Sequence, residues 1–327
     1  MVDILPWQQD IWQGLIGRTQ HAHAYLLHGP AGSGKRQMAE LFARFLLCKQ
    51  PQAAQACGQC RSCKLYAADS HPDMLRVEPE EPGKGILIAY VRELVASIQQ
   101  TAQQGGRQVV ILEPAEVMTL ESANALLKSL EEPSAGTVFL LITHQLSFLL
   151  PTIKSRCVLQ ACPLPDLAQA KTWLAQQLPS LDDTQLTKLL QLSGGSPMKA
   201  QQFAEDNVLQ MRADVVEGVK QLLKRQLAPA QLAGQWTKLP TVLLLDWFAQ
   251  WCQNILRYQL TQNTVDLGLQ DMQPVLGHMA KFVQAEQLIE THSWILERRN
   301  KLLRRAPLRA DLLLESLLVR WMGLIGF

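Results

Sequence analysis

Short apolar runs alternate with segments in which apolar side chains recur every three to four positions, so strands and helices are predicted in turn along the first half of the chain. Tyr25 to Leu27, Gln108 to Leu112 and Thr137 to Thr143 have the unbroken apolar character of strands buried on both faces. Met74 to Val77 is a shorter candidate, and Val158 to Leu159 the last. Between them, helical spacing marks Trp7 to Ile16, Gln37 to Leu47 and Ile88 to Ile98. It also marks Thr119 to Glu132, where Leu120, Ala123, Leu126, Leu127 and Leu130 share a face and Pro133 stops the helix. Strand and helix in alternation predict an α/β class with a parallel sheet. Farther on the strands cease. Leu167 to Leu178 and Asp183 to Leu192 read as helices, and from Asn207 onward only helices are predicted. Among these, Leu244, Trp247, Phe248, Trp251, Ile255 and Tyr258 form a wide apolar stripe that serves a core or a packing interface.

At 327 residues the chain predicts two or three domains, because single cores rarely grow past about 250 to 300 residues. A net charge of +2 leaves any contact with nucleic acid to local patches such as Arg298, Arg299, Lys301, Arg304 and Arg305. A solvated helix face or an inter-subunit surface is the blander use of that cluster. The N-terminus lacks a basic start followed by an apolar core, and no apolar run approaches the roughly 20 residues of a membrane span. The expectation is a cytoplasmic protein with no membrane association.

The chemistry begins at Gly29 to Arg36, GPAGSGKR, which follows the first strand and opens a helix. Strand, glycine loop and helix together make a phosphate-binding loop: backbone N–H groups converge on the ligand, and Lys35 reaches its outer phosphates. Gly29, Gly32 and Gly34 are the glycines of that loop. Its last position departs from the pattern, with Arg36 standing where a Ser or Thr hydroxyl would ligate Mg²⁺. The strand Gln108 to Leu112 ends in Glu113 Pro114, where hydrolysing loops place an acid for the metal and another for water. Thr143 closes its strand where a polar group could sense a γ-phosphate. The loop is therefore read as able to hold the phosphates of ATP and badly equipped to cleave them, so that ATP binding without hydrolysis is open to it.

Seven cysteines, four of them bunched, suit a reduced compartment with a metal site. Cys57, Cys60 and Cys63 in CGQCRSC, with Cys48 at the end of the preceding helix, have the spacing to close around one tetrahedral Zn²⁺; a redox pair or free thiols are the alternatives. A site of four thiolates has no open position and is structural. His71 is expected to serve a turn.

GPAGSGKR, the Cys48 and CGQCRSC knuckle, His71 Pro72 Asp73, NALLKSLEEP from Asn124 to Pro133, and Ser155 Arg156 Cys157 together resemble the AAA+ subunits of the bacterial DNA polymerase III clamp loader. The resemblance covers Trp7 to about Cys162. It implies an α/β AAA+ P-loop domain over 1–162 with the knuckle inserted at 48–63, a helical lid over 163–206 and an all-α collar over 207–327. It also implies a pentameric ring with gamma, tau and delta subunits that opens a sliding clamp and closes it on primed DNA, within a DNA-directed DNA polymerase (nucleotidyltransferase) holoenzyme. Arg36, Pro114, and Met198 in place of the lid arginine of the motors resemble a subunit without ATPase activity of its own. An ATP-hydrolysing gamma- or tau-like motor, favoured by Lys35, is the alternative, and a zinc-knuckle nucleic-acid module is a third. The resemblance also places Arg156 at the rim of the domain as an arginine finger aimed at the nucleotide of the next subunit. Arg156 could equally be an exposed charge at a strand edge.

Overall fold

A computed structural model describes residues 4–52, 54–81, 83–104, 106–304 and 306–325. The chain separates into two compact units, Met1–Glu205 and Asp206–Phe327.

The first unit is built on five strands, β1 (Ala24–His28), β2 (Met74–Val77), β3 (Gln108–Leu112), β4 (Thr137–Thr143) and β5 (Val158–Ala161), in the order β2-β3-β4-β1-β5. Every pairing is parallel, as the alternation of patterns predicts. Parallel neighbours need crossover connections, so the carboxyl ends of the strands lie along one edge and the loops that follow them gather there. Successive side chains of a strand point to opposite faces. Tyr25 and Leu27 join Met38 and Phe42 in one core, whereas Leu26, Val110 and Phe139 join Leu94, Leu126 and Leu130 in the other. Both faces being covered is why the central strands read as unbroken apolar runs.

The helices of this unit are α1 (Gln9–Ile16), α2 (Lys35–Leu47), α3 (Arg61–Ala67), α4 (Ile88–Ile98), α5 (Leu120–Glu131), α6 (Pro151–Lys154), α7 (Leu167–Gln177), α8 (Asp183–Leu192) and α9 (Pro197–Glu205). Trp7 lies in a 3₁₀ turn, Pro6–Gln8, ahead of α1, so the predicted first helix is divided. The reason is a tether: Trp7 Nε1 and Gln8 Nε2 both donate to the Ser33 carbonyl, at 2.9 and 2.8 Å. Helix α2 starts two residues earlier than its periodicity suggests, because Gly34, at φ 90°, caps it in a left-handed conformation that glycine adopts without steric cost. Thr119 stays outside α5 as its cap, its hydroxyl accepting from Ser122 N. Asp166 and Asp182 cap α7 and α8 in the same way, and each cap of this kind contributes about 1 kcal/mol.

The second unit is helical: α10 (Val208–Leu223), α11 (Pro229–Trp236), α12 (Thr241–Thr261), α13 (Gln273–Met279), α14 (Ala285–Leu303) and α15 (Ala310–Gly323). The stripe on α12 makes its core, with Leu244, Trp247, Phe248, Trp251 and Ile255 buried and Tyr258 half-buried. Phe248 packs on Trp251 and Trp321 at centroid distances of 4.7 and 5.0 Å. Arg212 is buried within this unit, its charge met by Asp271 at 2.6 Å and its guanidinium lying over Trp247. Arg305, part of the basic cluster read from the sequence, falls outside the described residues. Among the described residues no helix is long and apolar enough to cross a membrane.

Candidate functional site

The loop after β1 has the backbone that its glycines require. Gly29, Gly32 and Gly34 take φ values of 145°, 74° and 90°, where a β-carbon is strained. Space forbids one as well: a β-carbon on Gly29 would meet the Cys162 carbonyl, and one on Gly32 would meet Ser196 Oγ and Lys199 N at the start of α9. The loop is thus packed between the end of β5 and the start of α9. Lys35 is buried, and its ammonium donates to the Gly29 and Pro30 carbonyls at 2.7 and 2.6 Å. Burial pulls its pKa down to about 8, against the weaker opposing pull of nearby acids such as Glu113.

Arg36, the residue that departs from the loop pattern, points its guanidinium toward the end of β3. It pairs with Glu113, Nη1 to Oε2 at 3.3 Å, and with Glu78 just past β2. A fixed organic cation therefore neutralises the carboxylate that a hydrolysing loop reserves for its metal. Glu113 is 9% exposed, and burial pushes its pKa up while Arg36 opposes the shift. His144, after β4, brings Nε2 to 3.8 Å from Glu113 Oε1, and burial, assisted by Lys35, lowers its pKa. The Thr143 hydroxyl is buried and accepts from Gln145 N at 3.2 Å, while Glu116 Oε1 accepts from His144 N at 2.9 Å. Lys35, Arg36, Glu113 and Thr143 thus lie at one edge of the sheet. Glu78 and Glu116, which complete the cluster, carry no motif, and only the register of β2 against β3 reveals the first.

The four knuckle cysteines come together in space. Their sulfur atoms all lie within 4.8 Å of one another, Cys57 and Cys63 at 4.0 Å, close to the roughly 3.8 Å edge of a tetrahedron with metal–sulfur bonds of about 2.3 Å. Backbone N–H groups of Cys57, Cys60 and Cys63 donate to the sulfurs of Cys48, Cys57 and Cys60. The sulfurs do not ionise alike. Burial and the hydrogen bond with Cys60 push Cys63 up to about 12, whereas donated hydrogen bonds overcome burial at Cys60 and bring it down to about 6. Four thiolates this close need a cation between them, and the cluster could hold a metal ion. His71 is a turn group, as expected: its Nδ1 accepts from Asp73 N at 3.1 Å, which leaves Nε2–H to donate to Ser62 Oγ at 2.8 Å. Ser62 in turn donates to the Leu47 carbonyl, tying α3 of the knuckle to the end of α2.

Arg156 lies in the turn between α6 and β5. Nη1 donates to the Thr152 carbonyl at 2.9 Å, and Nη2 pairs with Glu131 at the end of α5. The side chain is 31% exposed, although its Nε is buried without a hydrogen-bond partner. Met198 and Lys199 open α9; the Lys199 ammonium lies 5.1 Å from the centre of the Phe203 ring, a contact that spacing alone does not disclose.

The sequence model of the family described as DNA polymerase III, delta subunit, matches residues 7–164, and that of its C-terminal region matches residues 206–323. The chain is 55% identical over 326 residues to DNA polymerase III subunit delta' of Pseudomonas aeruginosa, covering 100% of this chain and 99% of that one. It is 30% identical over 325 residues to subunit delta' of Escherichia coli, covering 96% and 94% of the two chains. Similarity extends to subunit tau/gamma of Haemophilus influenzae, 33% identical over 187 residues that span 56% of this chain and 27% of that one.

Proposed function

The chain belongs to the DNA polymerase III subunit delta' family, and from that premise we propose that it serves the clamp loader as a subunit that does not hydrolyse ATP and completes the active site of a neighbour. The observation that carries this reading is Arg36, whose guanidinium occupies Glu113 and Glu78 in place of a loop hydroxyl able to hold Mg²⁺. Phosphoryl transfer draws almost all its acceleration from positioning and charge, and this site lacks a loop hydroxyl for the metal and, at Pro114, an acid for water. Gly29, Gly32, Gly34 and Lys35 retain the cradle, so ATP can be held there without turnover, with Thr143 nearby as a polar contact.

Arg156 supplies what the chain gives to others. Glu131 and the Thr152 carbonyl hold Nη2 and Nη1 of its partly exposed side chain, and a permanently charged planar fork released from Glu131 toward the next subunit can bridge phosphate oxygens of a nucleotide held there. The ring of gamma, tau and delta subunits, the sliding clamp and primed DNA are the setting in which that contact acts. The metal we assign to Cys48, Cys57, Cys60 and Cys63 is Zn²⁺, which cross-links the knuckle and leaves no position open for chemistry.

Two measurements test the reading. Purified chain should show no steady-state ATP hydrolysis; a rate abolished by Lys35→Ala would make it a motor instead. In the assembled loader, Arg156→Ala lowers clamp- and DNA-stimulated hydrolysis while assembly and metal content stay unchanged. Fingers acting directly contribute about 10³ to 10⁵ in rate at their own site, so losing one interface gives a clear partial loss, with Arg156→Lys nearly as defective. Unaltered hydrolysis and loading by the Ala variant would remove Arg156 from the mechanism.

A further inference from the structure

The basic cluster at the end of α14 is reorganised by folding. Arg299 pairs with Asp246 on α12, and Lys301 pairs with Glu297 at 2.6 Å, so both charges are answered inside the second unit. Arg298 instead faces α15. There it lies with Arg309 and Arg320 around a pocket of about 440 Å³ whose apolar lining includes Trp294, Leu312 and Leu313. The Arg298 and Arg320 guanidinium groups both lie over the Trp294 ring, at 5.5 and 4.9 Å from its centre. Asp311 satisfies Arg309 at 2.6 Å, but among the described residues Arg320 pairs with no carboxylate, and Arg298 has only Glu297 at 3.6 Å, which Lys301 holds more closely. Two like charges are thus gathered on one indole with little to neutralise them, beside a Leu312 side chain left 52% exposed.

We propose that this pocket docks an acidic peptide segment of a partner protein, seating one leucine- or phenylalanine-sized side chain against Leu312 and Leu313 and its flanking carboxylates on Arg298 and Arg320. The ring fixes each guanidinium by cation–π attraction and leaves the N–H edges free, which preorganises planar forks for bidentate contact with carboxylates. The volume lies at the small end of the roughly 300 to 1,000 Å³ typical of ligand pockets, enough for a few side chains. Single-stranded nucleic acid fits less well. It calls for a basic track along the backbone and open aromatic faces for its bases, whereas here the adjoining charges are neutralised and guanidinium groups lie over the one indole in the pocket.

The test uses the full chain and fluorescence anisotropy with a fluorescein-labelled octapeptide, Asp-Glu-Asp-Leu-Phe-Asp-Glu-Asp. Saturable binding is expected below about 100 μM, weakened at least about tenfold by Arg298→Glu with Arg320→Glu, a loss of about 1.4 kcal/mol. Replacing the Leu-Phe pair of the probe by Ser-Ser, or Leu312 of the protein by Asp, should weaken it similarly, because both halves of the pocket contribute. Each substituted side chain reaches the surface, and an unchanged thermal transition verifies that the variants fold. Absence of binding at 1 mM peptide, binding indifferent to the arginine substitutions, or tighter arginine-dependent binding of an oligo-dT probe overturns the proposal.

Discussion

The phosphate loop and the cysteine knuckle sit at opposite ends of α2, and they have kept different things. At the loop the backbone is intact, with three glycines in conformations only glycine adopts readily, while the side chain that would engage a metal has been replaced by a cation. At the knuckle all four cysteine sulfurs are present and gathered within 4.8 Å of one another. Shape in the first region is secured by packing: Trp7, Gln8, Cys162 and Ser196 all bear on it. In the second, the Ser62 tether to the Leu47 carbonyl fixes one side, and under the proposed assignment a metal among the four sulfurs fixes the rest. Under the proposed function, a site can lack its chemistry and keep its geometry when neighbours need that geometry, whereas a metal knuckle has no core of its own to fall back on.

The largest effect that this contrast predicts is metal removal. Structural zinc sites in small peptides bind with about 10 to 16 kcal/mol, nearly all of which appears as local folding. Cys60→Ser or a strong chelator should abolish one zinc per chain and raise amide hydrogen exchange across residues 48–65, with β1, β3 and β4 still protected. Elemental analysis of reduced, carefully purified protein that finds no zinc ends this assignment. Gly29→Ala should do the reverse, disturbing the unit as a whole. The φ of 145° and the collision with the Cys162 carbonyl cannot be relieved by a side-chain rotation, so a cost of about 1 to 3 kcal/mol in denaturant unfolding is expected, with zinc content unchanged. A neutral outcome would mean that the loop is not held by its packing.

How far the sequence discloses this contrast depends on distance along the chain. The sheet is legible because burial on both faces leaves unbroken apolar runs at β1, β3 and β4, and the knuckle is legible because three of its four cysteines lie within seven residues, Cys57 to Cys63. Arg36 is legible only as a departure. Its partners Glu78 and Glu113 come from two other strand ends, 42 and 77 residues away, and become neighbours through strand register. Glu131 beside Arg156 is hidden for the same reason, since the junction of α5 with the turn after α6 has no periodic signature. The basic run at Arg298 misleads in the other direction: as a linear cluster it suggests one surface, but helix rotation sends Arg299 to Asp246 and Arg298 to Trp294.

Arg36→Met sharpens the loop side of the comparison at smaller scale. Arg36 is 50% exposed on its side chain, so solvent screens the pair and about 1 kcal/mol is the expected loss. Its pH dependence has a definite sign. Burial already holds the Glu113 pKa above its ordinary value of 4.5, and removing the opposing cation raises it further. A carboxyl raised in the fold binds more protons folded than unfolded, so its cost grows as pH rises through the folded value and vanishes where it is neutral in both states. The deficit of the variant should therefore be greatest near neutrality and shrink toward pH 4, as followed by urea unfolding at several pH values. A deficit independent of pH would place its origin in lost packing of the arginine stem.

The smallest effect concerns Lys35 and separates a loop that merely keeps its shape from one that still takes phosphate. Burial lowers this lysine from 10.5 to about 8, so in the folded chain half of the molecules lack the charge at pH 8, while the unfolded lysine keeps it. Folded chain then binds fewer protons than unfolded chain between those values, and the stability of the unliganded protein should rise with pH through that window. An anion in the cradle acts in the opposite sense, because the ammonium that now bonds to the Gly29 and Pro30 carbonyls would turn to phosphate and hold its proton. Binding must therefore take up a proton above pH 8. Between pH 7.5 and 8.5, where the terminal phosphate of ADP is already ionised, affinity should fall about threefold as the charged fraction of Lys35 drops from about three-quarters to one-quarter. Titration calorimetry in two buffers of different ionisation enthalpy measures that proton directly, and Lys35→Met should remove both the uptake and the pH slope. ADP binding with no proton uptake at pH 8.5 would show that the anion is held by the loop N–H groups alone; no binding at any pH would show that only the shape of the loop has been kept.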